Sequence, residues 1–301
     1  MPTAPTQGSP PMSMLTPYYG LLDRCEPFLI AGSDIAPLLD REPLGVRIPD
    51  RNVFHPQQRK NADFLTMLRL VDQLTFGPFG MQMPSWVFYD CAVMPGAVFG
   101  LGIRADRLED WAREAMQVPA TYDGLVPVSQ FIAIPMLAGF AGGAPTPRSW
   151  LLYTLESLNL VSPGIAPAGA LRATMALGLR VFPIDELHGT TQWRSPRLVP
   201  YSDLGPLELV TAYTPAHSLP RTLSFRLRMA DASIERLLAA EPLSAPHANL
   251  VLEVDDVAAL KAVQRDIEAG CRIHVAGHPV VRGSSVRVPL FRQPPDAAPA
   301  D

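Results

Sequence analysis

The sequence predicts a mixed α/β (α+β) fold: a central mixed sheet flanked by helices, followed by a small C-terminal α+β extension. Three observations predict it. Apolar residues recur with helical spacing in some segments and in strand-like runs in others, and the two kinds alternate along the chain. The 33 prolines are spread throughout the 301 residues, which favours many short elements over long helices. Hydrophobic residues make up 48% and charged residues 18%, enough apolar surface to bury a core.

Residues 1–17 and 293–301 are rich in proline and small residues and are expected to be disordered tails. Residues 18–60 alternate apolar patches with proline and charge and are expected to be mostly loop. Phe64, Leu65, Leu68, Val71 and Leu74 lie three and four apart and predict a helix over 61–74, stopped by Gly77-Pro78. Trp86–Met94 and Ala97–Arg104 are predicted strands joined by a Pro95-Gly96 turn. Asp106 is placed to cap a helix over 107–116. Residues 128–137 form a third predicted strand, followed by a glycine-rich loop over 139–147 and a helix over 149–160 marked by Leu151, Leu152, Leu155 and Leu158. A second loop, 162–167, leads into a small-residue helix over 168–179.

The pattern continues with a strand over 184–193 and a short helix from Ser195 to about Leu204. Paired strands follow over 207–213 and 222–229, with arginines alternating in the second as on a half-exposed strand. Beyond a boundary placed near residue 231, a helix (232–240), strand (249–254), helix (257–268) and two strands (271–276 and 285–291) make up the extension. The expected organisation is therefore a tail (1–17), a main domain (18–230), an extension (231–292) and a second tail.

The bulk properties narrow the function classes. A net charge of −4 and lysines only at Lys60 and Lys261 leave no basic stripe for nucleic acid. No apolar run is long enough to span a bilayer. Three widely spaced cysteines, Cys25, Cys91 and Cys271, imply no disulfide framework. The expected location is the cytoplasm.

Several motifs of this chain fit packing better than chemistry. Cys271, His274 and His278 have a spacing seen in zinc ligands, but on a strand Cys271 and His274 point to opposite faces, so no metal is expected. Cys91 lies mid-strand among apolar neighbours, where cysteine packs as a small hydrophobe. Gly96–Gly102 sits inside a strand and does not open a helix as a dinucleotide loop must. Neither a Gly-x-Ser-x-Gly elbow nor a phosphate-binding Gly-x-x-x-x-Gly-Lys-Ser/Thr loop occurs.

The segment Ser162–Arg172 differs. A Gly- and Ala-rich turn entering a helix can present backbone N–H groups to a phosphate, with the helix dipole favouring negative charge; the same small residues also serve close helix–sheet packing. With this loop in place, the order of elements over about 60–230 resembles the GNAT superfamily of acyl-CoA-dependent N-acyltransferases. That family has a hairpin, a central strand, a pyrophosphate loop opening a helix, another strand, a short helix with a tyrosine, and two last strands. Gly164-Ile165-Ala166 looks like the core of its coenzyme A loop, and Tyr201-Ser-Asp-Leu-Gly205 like its Tyr-x-x-x-Gly signature.

The resemblance implies an acyl-CoA co-substrate held by Gly164, Ile165, Ala166, Ala168, Gly169 and Arg172, with Arg194 a further phosphate contact. It implies Tyr201 as the proton donor to the departing thiolate. His188 and Glu186, on the following strand, are candidates for the base that serves the amine; Tyr89 and Asp90 are further pocket candidates. The function expected on this basis is acyl transfer to a small amine or related nucleophile. The alternative is a non-catalytic small-molecule-binding or structural protein, for which homo-oligomerisation would be natural. A third is a hydrolase or decarboxylase without a visible site.

Overall fold

The computed structural model of the chain describes residues 12–33, 35–58, 61–84, 96–136, 149–215, 219–242, 248–283 and 285–295. It is a mixed α/β structure whose strands form mixed sheet flanked by helices. The chain divides into two compact units, Met1–Pro135 with Tyr153–Pro183, and Met136–Leu152 with Ile184–Asp301. This division differs from the boundary expected near residue 231. Among the described residues, no helix is long and apolar enough to cross a membrane.

The first unit begins earlier than the expected tail allowed. Met12–Tyr18 forms a 3-10 turn whose Leu15 and Tyr18 are buried, followed by the short helix α1 (Tyr19–Leu22). Strand β1 (Glu26–Ala31) lies in the region expected to be loop; its run Phe28–Ala31 is buried. It pairs in parallel with β2 (Val53–Phe54) and antiparallel with β3 (Ala97–Arg104). Helix α2 (Ala62–Phe76) stands where its periodicity placed it, and α3 is confined to Asp110–Ala115, starting after Glu109 rather than Asp106. Strand β4 (Leu125–Pro135) pairs antiparallel with β3, and β5 (Ser149–Ser157) follows in the sheet order β2-β1-β3-β4-β5. The helix expected over 149–160 is thus a strand ending in a 3-10 turn, Leu158–Leu160. The expected strand over 86–94, its turn at Pro95, and the loop over 139–147 lie outside the described residues.

Two rows of side chains explain how this unit packs. Ile30, Val98 and Ile132 stand opposite one another across β1, β3 and β4. They belong to one core cluster with Phe64, Leu65 and Leu68 of α2. The adjacent row, Leu29, Phe99 and Phe131, points to the other face by the alternation of a strand. There, helix α4 (Ala170–Val181) lies with Gly178 against the Phe131 ring. Gly100 is required by close packing: a Cβ there would sit 2.2 Å from the Ser129 carbonyl and 2.4 Å from the Phe28 ring.

In the second unit, Ser149–Leu152 of β5 pair in parallel with β6 (Glu186–Gln192). Helix α5 (Leu198–Leu204) leads to β7 (Leu207–Thr211), which pairs antiparallel with β8 (Thr222–Arg228); β8 also pairs antiparallel with β6. After α6 (Ile234–Ala239) come β9 (Leu250–Glu253), α7 (Val257–Glu268), β10 (Arg272–Val275), β11 (Val280–Arg282) and β12 (Ser285–Gln293). Strand β10 pairs with β7 and β12, so the predicted extension continues the same sheet. Asp256 caps α7 by accepting from the amides of Ala258 and Ala259. Gln293, the first residue of the expected C-terminal tail, is still part of β12.

Candidate functional site

In the first unit, β5 runs through the 3-10 turn directly into the loop that opens α4. The Ser162 carbonyl accepts from the Ile165 amide at 2.9 Å and folds the loop back on itself. Gly169 is the N-cap residue with φ of 84°, a left-handed conformation that favours glycine. A side chain there would also press within 2.9 Å of Tyr18. Gly164 is exposed and lies under the exposed Trp111 indole, which a Cβ would approach to 2.8 Å. Trp111 is held by its Nε1–H, which donates to Glu109 at 2.7 Å.

The predicted phosphate-contact residues therefore sort into two groups. Ile165 and Ala166 are buried, so their side chains belong to the core. Gly164 and Ala168 are exposed and Gly169 half-exposed. Among the described residues, none accepts a hydrogen bond from the amides of Gly164, Ala168, Gly169 or Leu171. Unsatisfied amides at the entrance of a twelve-residue helix favour an anion. Arg172 is half-buried in the first turn of α4, where its charge opposes the upward push of burial on the Tyr18 phenol.

In the second unit, the two-residue period of β6 puts Glu186 and His188 on one face. The structure brings them together, His188 Nε2 lying 2.6 Å from Glu186 Oε1. The same face carries a row that sequence alone did not reveal. His188, Arg226, Glu208 and His274 stand opposite one another across β6, β8, β7 and β10. Burial pushes the Glu208 carboxyl up, but hydrogen bonds and charge from Arg226 and Arg272 outweigh it and hold the group at about 2. Burial lowers the His274 pKa, with the Glu208 charge partly opposing.

Tyr201 is enclosed, 5% exposed, with its ring 5.2 Å from that of Phe225. Burial pushes its phenol up to about 12. Arg194, an expected phosphate contact, instead makes a two-pronged ion pair with Asp255, which Arg221 also contacts. The three residues with zinc-like spacing go separate ways. His278 pairs with the buried Asp203, His274 faces Glu208, and the Cys271 thiol lies 3.8 Å from Arg292. Among the described residues, no group of three or more His, Cys, Asp or Glu could hold a metal ion. Tyr89, Asp90 and Cys91 lie outside the described residues.

No protein-family model matches the sequence, and no curated protein matches it. Among solved structures, FeeM, an N-acyl amino acid synthase from uncultured soil microbes, is similar at 14% identity. That match covers 57% of this chain and 87% of FeeM, with a TM-score of 0.35. TofI, solved in a ternary complex with an inhibitor and MTA, is similar at 13% identity. It covers 72% of this chain and 96% of TofI, with a TM-score of 0.33. At such TM-scores neither likeness carries an argument about this chain.

Proposed function

We propose that the protein transfers an acyl group from an acyl-coenzyme A thioester to a small amine or related nucleophile. What carries this is the entrance to α4: backbone amides at Gly164, Ala168 and Gly169 without an acceptor among the described residues, in a turn of small residues flanked by Trp111 at Gly164 and Tyr18 at Gly169. The order of elements supports it. An antiparallel pair, a strand running into the loop, a helix, a strand, a short helix bearing Tyr201, and an antiparallel pair follow one another along the chain.

Within the first unit, the loop amides and the α4 dipole would hold the donor's pyrophosphate, with Arg172 adding charge. Within the second unit, the Glu186–His188 pair is the proposed base. The tautomer that donates Nε2–H to Glu186 presents Nδ1 as the proton acceptor. Tyr201 is the proposed donor to the departing thiolate, and burial pushes its phenol up to about 12.

Acetyl-CoA or a longer acyl-CoA is expected to raise the melting temperature by linkage. Absence of both a shift and a binding heat at millimolar thioester would end the proposal. A second reading, small-molecule binding or a structural role without catalysis, draws on the enclosure of Tyr201 against Phe225, which is how a core residue sits. Thioester binding without consumption in the presence of an amine panel would favour it.

A further inference from the structure

In the second unit, the loop between β10 and β11 carries His278 between Gly277 and Pro279. The loop is braced on β12. The Ala276 amide donates to the Pro289 carbonyl at 2.9 Å, and Gly277 lies against the Pro289 ring, which a Cβ would approach to 3.2 Å. A residue that precedes proline is also confined to extended backbone, which narrows where the His278 side chain can be delivered.

His278 Nε2 is hydrogen-bonded to Oδ1 of Asp203, 75 residues earlier and next to the end of α5. The two groups differ in access: the Asp203 side chain is 0% exposed and the His278 side chain 32%. His278 Nδ1 has no partner among the described residues, and it is not one of the unpaired atoms that burial shuts off, so water reaches it. The tautomer that donates Nε2–H to Asp203 presents Nδ1 as an acceptor. An enclosed carboxyl that fixes one imidazole nitrogen while the other meets solvent is how a third group orients a base.

Position within the unit adds a second argument. Tyr201 lies on α5 two residues before Asp203, with its ring on Phe225. Phe225 stands opposite Gly189, and the next residue, Arg226, stands opposite His188. Alternation along the strand therefore puts Tyr201 and α5 on one face of the sheet and His188 on the other. His278 reaches Asp203 on the α5 side.

We infer that His278 is a general base and that Asp203 positions it. This deepens the acyltransfer proposal, on which its role depends. As the amine nitrogen bonds to the thioester carbonyl carbon, His278 Nδ1 takes the proton which that nitrogen sheds. The carbon–sulfur bond breaks, and the thiolate takes the Tyr201 proton; exchange with water resets both groups. The role is the one otherwise given to the Glu186–His188 pair, and His278 fills it on the Tyr201 side.

Acetyl-CoA consumption with a panel of primary amines tests it, beside acetyl-CoA affinity by calorimetry. His278→Ala, at a half-exposed position, should lower kcat about a hundredfold with acetyl-CoA affinity unchanged, and added imidazole should restore part of the loss. Asp203→Asn should lower kcat while KM holds, and should cost nothing further in the His278→Ala background, because Asp203 acts through His278. A folded His278→Ala protein with kcat within threefold of wild type, or with only KM changed, overturns the inference. If the wild type binds no acetyl-CoA, the acyltransfer proposal falls and His278 is read on p-nitrophenyl acetate, whose hydrolysis needs only a base and water. A wild-type rate above that of His278→Ala then keeps the base, and equal rates overturn it.

Discussion

Ala168→Asp separates the proposed anion-binding role of the α4 entrance from its structural role, because the two respond in opposite directions. Ala168 is exposed and directly precedes the N-cap Gly169, so a carboxylate there meets no steric barrier in the core. Near a helix N-terminus it gains about 0.3–1 kcal/mol from the dipole. The unliganded variant should therefore melt at or slightly above the wild-type temperature. A bound pyrophosphate would instead be repelled. At about 7 Å and an effective dielectric of about 20, two unit charges oppose each other by about 2 kcal/mol, and acyl-CoA affinity should fall about thirtyfold. Titration calorimetry with acetyl-CoA measures the loss, and Ala168→Asn serves as the neutral control. Wild-type affinity in a folded Ala168→Asp protein would refute the assignment of these amides to the donor's phosphates.

Other substitutions probe other levels of the structure. Gly100→Ala should cost about 3 kcal/mol, because the added carbon meets a backbone carbonyl and an aromatic ring in a packed core; a urea-unfolding loss below about 1 kcal/mol would contradict this packing. Tyr201→Phe should lower turnover and leave acyl-CoA affinity nearly intact, and unchanged turnover would remove Tyr201 from the mechanism. Glu208 has a folded pKa of about 2 against an ordinary 4.5. Its contribution is thus complete above about pH 4.5 and lost as pH falls toward 2. Glu208→Gln should remove a pH-dependent contribution on the order of 2 kcal/mol, discounted for the partly exposed arginines. An unchanged slope of stability over that range in the variant would count against the Arg226 and Arg272 contacts as the cause of the lowered pKa.

Helix α7 shows what the sequence makes legible: Asp256 at the cap and an apolar face containing Leu260 and Val263 specify both its start and its packing side. Strand β5 shows what it does not. Its leucines at 151, 152, 155 and 158 satisfy a helical stripe, and the strand alternation that competes with it, Trp150, Leu152, Thr154 and Glu156, ends in two polar residues that are buried nonetheless. Strand β1 lacks alternation because consecutive residues from Phe28 to Ala31 are all buried, so no exposed face marks its period. The same distinction governs the candidate site residues. Glu186 and His188 meet within one strand, which a period of two suffices to anticipate. Asp203 and His278 lie on a helix and a loop 75 residues apart, and the row from His188 to His274 spans four strands; only the folded sheet and its register bring them together.

Gly178 gives α4 a notch into which the Phe131 ring settles, its nearest atom 2.9 Å from where a side chain would begin. About one turn nearer the helix start, the hydroxyls of Thr174 and Ser129 join the same helix to the same strand. A ring in a notch resists sliding, and a hydroxyl pair resists rotation. The helix is consequently indexed against β4, so the amides at its mouth are held in place, and the proposed capture of an anion there would not first have to immobilise the backbone that receives it.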